Sequence, residues 1–490
     1  MAMKIGEKKI TTESELGAVL LRGVRQRQIA GLLVAFVVLF FLRFGPAITG
    51  LTRPGQAVLG VFLWFIICMV TSALPKAIVG LASPLLLVLI ADTKVKVAFS
   101  AFNGDIFFLA AGAFVIAAVM MGTPLGKRVT LTVVSTMKSN RVTRVLLGLA
   151  LAEVATHPFL PVVNESALFL PMCKGVSSFM EGKEHLPETR RINTAVLYLI
   201  AGLLPLFIGP LMLTSAFPNL ILAAYLKSTQ HISISWARWV WLNLPLWGLL
   251  PIVYLYVVWY FNLRNLDIPG AEAGIVEMKK GLGSITWAEI WALICLTLGM
   301  TLWIGGWIPP GMTALLAASL LFVPWSGIDF NEINKYMLWD ILMLLGGAIS
   351  LGTALYRAGT VTWLAHGIIG PIENGHLPIL AVLFLLVFGF HIARAGIVSA
   401  VAAGTAFVPL SVGLAVALHV NILPFSLIIT NCMQYAFFLP ISITTFLIAW
   451  SASGTSGWEA IKFGTPLTII ANVYVLLVQP VWLKFIGLPL

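Results

Sequence analysis

The sequence predicts an all-α polytopic membrane protein made of two inverted repeats, with re-entrant helical hairpins and broken helices and about 11 transmembrane segments. Three observations predict it. The 490 residues are 59% apolar and only 10% Asp, Glu, Lys or Arg, against roughly a quarter charged in an ordinary soluble domain. So few charges cannot cover a water-facing surface, which excludes a soluble enzyme, and so much apolar content excludes disorder. Long uncharged stretches are interrupted by prolines rather than by charges. Landmarks also recur in the same order in the two halves.

The first segment, 1–28, carries Lys4, Lys8, Lys9, Arg22, Arg25 and Arg27. It is too long and mixed for a signal-peptide n-region, and the apolar run 29–42 has no small-x-small cleavage site. It reads as a cytoplasmic segment before an uncleaved first span of a plasma (inner) membrane protein. Further apolar runs follow at 58–70, 77–91, 106–121, 145–154, 239–261, 290–304, 312–323, 337–355, 379–390 and 466–485. Many are shorter than the roughly 20 residues of a straight span, a pointer to transporter folds with interrupted helices. The segment 263–286 is a polar loop that divides a first membrane half, 29–262, from a second, 287–490. The formal charge of +11 lies mainly in short segments beside apolar runs. It suits a positive-inside membrane protein and anionic headgroups, not nucleic acid. Cys68, Cys173, Cys295 and Cys432 lie in apolar runs with no CxxC pair and read as buried hydrophobes.

Between Arg191 and Lys227 lie 35 residues without charge, broken by Pro205, Pro210 and Pro218; between Arg394 and Glu459 lie 64, broken by Pro409, Pro424 and Pro440. Such backbone exists at membrane depth only where protein buries it or it lines a watery cavity. Asp105-Ile106-x-x-Leu109-x-x-Gly112-Ala113 matches Asp340-Ile341-x-x-Leu344-x-x-Gly347-Ala348 at an offset of 235, and Pro210-x-x-x-Thr214-Ser215 matches Pro440-x-x-x-Thr444-Thr445 at 230. Between these landmarks each half has a polar break and an apolar run to a proline: Asn164-Glu165-Ser166 to Pro171, and Arg394 through Ser399 to Pro409. The expectation is two repeats with a site at their interface near the bilayer midplane.

Catalytic signatures are absent: no HExxH, no GxSxG, and the GxxxGK at 122–127 is one residue short of a P-loop. Four acids sit in or beside apolar runs. Asp105 and Asp340 open helices and read as N-terminal caps. Glu153 pairs with a neighbouring cation or serves a function. Glu165 lies in a candidate hairpin tip, 161–166, whose amides suit an anion and whose carbonyls suit Na+. Arg394 either holds a carboxylate or sulfate by paired hydrogen bonds or snorkels to the interface. Thr214, Ser215, Asn219, Thr444 and Thr445 sit at the proline breaks, offering hydroxyls and amides to a solute or simply bonding helix carbonyls.

At these residues the chain resembles the divalent anion/sodium symporter family (DASS, solute-carrier-13 type). The resemblance rests on 106–128, ending Gly126-Lys127-Arg128; on Thr214-Ser-Ala-Phe-Pro218-Asn219, similar to the family's G-T-P-P-N break; on the second break, 439–454; and on 339–359. It implies a homodimer in the lipid bilayer, an elevator-like moving domain and a small anionic solute such as a dicarboxylate or sulfate. It also implies Na+ as the coupling ion, with Asn164 and Ser399 as candidate Na+ ligands. The candidate solute site is Asn164, Glu165, Ser166, Thr214, Ser215, Asn219, Arg394, Ser399, Thr444 and Thr445. The family's Ser-Asn-Thr tips are reduced here to Val163-Asn164-Glu165 and Ser399-Ala400-Val401. That departure keeps Na+-independent exchange and proton-coupled antiport open beside symport.

Overall fold

A computed structural model describes residues 13–183, 185–373 and 377–490, with side chains described from 24 onward except 371–373. Lys4, Lys8 and Lys9 lie outside the described residues. Among those described, the fold is helical apart from one isolated bridge between Arg141 and Asp267. Eight helices are long and apolar enough to cross a membrane, or nine when the pair Trp236–Leu242 and Leu244–Tyr260, bent by 59°, is taken as one broken span. The protein is therefore a multi-pass membrane protein.

Helix α1 (Glu13–Phe44) packs on α2 (Arg53–Thr71) and runs straight through position 28. Thr52 caps α2 by accepting from Gly55 N, and Ser72 ends it in the left-handed conformation. Helix α3 (Lys76–Leu89) contains Pro84, which has no N–H to return to Gly80 O. Next come α4 (Asp105–Gly122), the amphipathic α5 (Leu125–Ser135), and a hairpin of α6 (Val142–Thr156) and α7 (Val162–Ser178). The span α8 (Pro187–Leu211) widens into a π-helical stretch at Leu197–Leu203, just before Pro205. It ends in a break, after which α9 (Phe217–Gln230) starts.

Helices α10 (Trp236–Leu242) and α11 (Leu249–Tyr260) form the bent span. The polar segment between the halves contains a helix of its own, α12 (Ala271–Lys280). The second half opens with α13 (Trp287–Gly305), capped by Thr286 with Glu289 in a reciprocal capping box and ended by left-handed Gly306. It continues with α14 (Pro310–Leu320), α15 (Trp339–Arg357) and α16 (Thr360–Glu373). A second hairpin of α17 (Ile379–Arg394) and α18 (Ala400–Ala417) follows, then α19 (Ile422–Cys432), a second break, α20 (Thr444–Ser453) and α21 (Gly457–Phe485).

Two crossings tie the halves together. Helix α3 packs on α15 and α14 packs on α4. At the first crossing a Cβ on Gly347 would stand 2.0 Å from Gly80 O; at the second, one on Gly112 would stand 2.6 Å from Ala314 O. Gly80 O is the carbonyl that Pro84 leaves free, so the missing side chain on Gly347 lets the backbones meet there.

The acids expected to cap their own helices do otherwise. The N-cap of α4 is Gly104, and Asp105 Oδ1 instead accepts from Gly311 N, in the first turn of the neighbouring α14, at 3.0 Å. Asp340 is exposed in the first turn of α15.

Candidate functional site

Four helices begin at one place. The first residues of α7 (Val162), α9 (Phe217), α18 (Ala400) and α20 (Thr444) all line a narrow cavity of about 40 Å³. A larger cavity of about 920 Å³ shares Val163, Phe217, Ala400 and Thr444 with it and continues past Ser399 to Arg27, Lys76 and Asp340. The sequence makes this convergence by interruption: turns separate α6 from α7 and α17 from α18, and prolines stand in or beside each break. Pro161 stands at the N-cap of α7 and Pro218 at the second position of α9, where a missing N–H costs nothing. No side chain caps α7, α9 or α20; Ser399 caps α18 by accepting from Ala402 N.

Arg394 reaches the narrow cavity from the end of α17 and is 2% exposed. Its Nη1 donates to Ile397 O at 2.8 Å and Ser399 O at 3.2 Å, which fixes the second hairpin tip, while its Nε is buried with no partner. Among the described residues no carboxylate forms an ion pair with it. A buried guanidinium held only by carbonyls retains a full charge and free donors for an anion. Thr444 and Thr445 line the same cavity, and Ser399 lines the larger one.

The remaining sequence-derived candidates stand behind the wall. Asn164, Glu165 and Ser166 are not at the tip: they form the first turn of α7, and the tip is the 3-10 turn His157–Phe159 with Leu160 and Pro161. Asn164 Nδ2 donates to Met121 Sδ at 3.1 Å and its Oδ1 is buried without a partner. Glu165 is hydrogen-bonded to His157 Nδ1 and accepts from Thr156 Oγ1 at 3.2 Å. Ser166 Oγ donates to Ala201 O at 2.6 Å, and Thr445 Oγ1 to Gly202 O at 2.8 Å. Thr214 and Ser215 hydroxyls donate to Pro158 O and His157 O, and Val162 N donates to Ser215 O, so the first break is stitched to the first tip. Asn219 Nδ2 holds two carbonyls of the first break, Gly209 O at 2.9 Å and Met212 O at 2.8 Å.

Sequence reasoning missed Gln434. Its Nε2 donates to Asn219 Oδ1 at 3.1 Å and so joins the two breaks. It also missed Thr468 and Asn472 of α21, which bond Phe437 N and Tyr435 O and hold the second break in shape. A lone polar side chain in an apolar run was the only signal for each.

The profile described as "Sodium:sulfate symporter transmembrane region" matches residues 26–488. The chain belongs to this sodium:sulfate symporter family. Its members are transporters, which agrees with the lack of any enzyme signature in the sequence. Within the family, it is 27% identical over 486 residues to the sodium-dependent dicarboxylate transporter SdcS of Staphylococcus saprophyticus, covering 92% of this chain and 90% of that one. It is 23% identical over 499 residues to a protein named only as a membrane protein from Cupriavidus necator, covering 93% of each. Among solved structures, the YdaH transporter of Alcanivorax borkumensis superposes with a TM-score of 0.54 at 13% identity, over 89% of this chain and 99% of that one; this likeness shows a shared fold.

Proposed function

We propose that this chain is a secondary active transporter that carries a small dianion, a dicarboxylate or a sulfate-like oxyanion, by elevator-type alternating access. The observation that carries the reading is the convergence of four helix N-termini and one unpaired guanidinium on a single cavity. Each N-terminus presents roughly half a positive charge, and Arg394 adds a whole one. A dianion compensates that field, whereas a neutral solute leaves it uncompensated. The dicarboxylate in the name of the SdcS relatives and the sulfate in the family's description are both dianions.

The same reading takes 29–262 and 287–490 as inverted repeats, with the N-terminal segment in the cytoplasm and the protein a homodimer in the plasma membrane. Three features support the repeats: the 235-residue offset between Asp105 and Asp340, the reciprocal crossings α3–α15 and α4–α14, and the matched pair α2 and α13. Those two helices are each 19 residues long, each has a Thr N-cap and each has a left-handed end. The bonds that stitch tip to break and break to break support one rigid body that moves as an elevator.

Coupling to Na+ is proposed at the first hairpin, where the buried Asn164 Oδ1 has no partner. At the second tip the Ser399 carbonyl already accepts from Arg394. That fixed cation favours a second reading, Na+-independent anion exchange. Uptake of radiolabelled succinate and sulfate into proteoliposomes separates the readings. Accumulation above equilibrium is expected with an inward Na+ gradient. Counterflow indifferent to Na+ would leave exchange, and no movement of either anion under any gradient would end the anion reading.

A further inference from the structure

The first hairpin holds a charge cluster that anion binding does not use. Glu153 in the last turn of α6, His157 at the tip and Glu165 in the first turn of α7 are all 0% exposed. Glu165 is satisfied by His157 Nδ1 and Thr156 Oγ1. Glu153 is not: both its carboxylate oxygens are buried without a hydrogen-bond partner, and so is His157 Nε2. Glu153 also stands within electrostatic reach of Glu165, so the two repel when both are charged.

The titratable groups that face Glu153 are Glu165 and Cys173 of α7, and His157 is bonded to Glu165. No cation on the elements packed on α6 acts on it: Arg190 of α8 is paired with Glu459, and Arg191 of α8 is half-buried and forms no ion pair with it. Arg128 of α5 is bonded to Glu289, Lys127 of α5 and Lys174 of α7 are exposed, and Tyr198 of α8 is bonded to Thr455. Among the described residues no cation pairs with Glu153.

A carboxylate in such a place, without donor or counter-ion, loses its hydration and gains nothing in return; a bound proton removes the deficit. We propose that Glu153, buried and without a partner, is a proton-binding site, and that its proton is exchanged as the hairpin moves, coupling anion transport to H+. With its proton bound, the Glu153 side chain is neutral. Transfer of the Glu153 proton to water leaves one negative charge, and reprotonation from water on the opposite face restores neutrality, so one H+ crosses per cycle. The site lies where movement reaches it. The tip carbonyls of His157 and Pro158 accept from Ser215 and Thr214 of the first break, and Val162 lines the anion cavity. Only the coupling rests on the anion reading; the proton site rests on burial and pairing.

The test uses the full-length protein. Glu153→Gln keeps the shape and neutrality of a protonated carboxyl, so it is expected to fold with a melting temperature close to that of the wild type; failure to fold would overturn the proposal. The infrared carbonyl band of a protonated carboxylic acid, which shifts in D2O, is expected in the wild type at neutral pH and absent from the variant. Superimposable spectra would overturn the site. In proteoliposomes with equal Na+ on both sides, an inward gradient of one pH unit drives about tenfold succinate accumulation per coupled proton. The ratio of pH-driven to Na+-driven accumulation is expected to fall to the no-gradient level in Glu153→Gln, and an unchanged ratio would overturn the coupling. If the wild type moves neither succinate nor sulfate, the anion reading and the coupling fall together, while the infrared band still decides the proton site.

Discussion

Ser166 Oγ donates at 2.6 Å to Ala201 O, a carbonyl of the π-helical stretch that precedes Pro205. Ser166 and Thr445 therefore hold the opened backbone of α8 from two sides, one from the first hairpin and one from the second break. Removing such a donor leaves a buried acceptor without a partner, at about 1–3 kcal/mol. Ser166→Ala is expected to lower the melting temperature of the purified protein while leaving the KM for the anion unchanged; a raised KM with unaltered stability would make Ser166 a solute ligand instead. Asn219→Ala strands two carbonyls and unhooks Gln434, so its loss of stability is expected to exceed that of Ser166→Ala in the same unfolding assay. Arg394 is the opposite kind of residue, facing the cavity with donors to spare. Lysine keeps the charge but cannot span Ile397 O, Ser399 O and a dianion at once. Losing one charge-assisted hydrogen bond, about 1.5–3 kcal/mol, predicts a fall in uptake of at least tenfold for Arg394→Lys with little change in melting temperature. Uptake at the wild-type rate would remove Arg394 from the site.

At the scale of elements, the crossings α3–α15 and α4–α14 depend on absent side chains. A Cβ at position 80 would meet Met343 O at 2.4 Å, and one at 347 would meet Gly80 O at 2.0 Å; at Gly367, on exposed α16, nothing lies within 4 Å. Gly347→Leu is therefore expected to abolish accumulation of folded protein, and Gly367→Leu to leave it unchanged, as read by fluorescence-detected size exclusion. Equal yields would mean that the crossing is not tight. Gly112 and Gly347 were legible in the sequence as a recurring landmark, although their partners were not. The breaks were legible too, because prolines within uncharged stretches leave few other structures at membrane depth. The first hairpin tip was placed a few residues too late. Asn164-Glu165-Ser166 has the composition of a turn, yet each of these side chains finds a partner inside the bundle, so the backbone stays helical. The true turn carries Pro158 and Pro161 and resembles the end of an arm. Gln434 was invisible, since one amide in an apolar run says nothing about what lies opposite it.

On the scale of the whole molecule, the central cavity shares part of its wall with a larger one. The large cavity joins it at Val163, Phe217, Ala400 and Thr444 and runs out to Arg27 at the start of the first span and Lys76 at the start of α3. A separate cavity of about 350 Å³, lined by Asp105, Lys227 and Trp236, shares no lining residue with the central one. On the proposed cytoplasmic placement of the basic N-terminal segment, this conformation would offer the anion site to the cytoplasmic side. Ser399, half-buried on the wall of the large cavity, reports on that access. The four native cysteines are buried, and Cys68, beside the same cavity, is best replaced by Ala as background. A membrane-impermeant maleimide is expected to label Ser399→Cys in inside-out vesicles faster than in right-side-out vesicles, and to leave Ser426→Cys, whose side chain is fully buried, unlabelled from either side. Saturating succinate slows the reaction at position 399, because the dianion and the reagent compete for one vestibule. Faster labelling from the outer face would invert the assigned orientation, and labelling indifferent to succinate would separate this cavity from the solute's path.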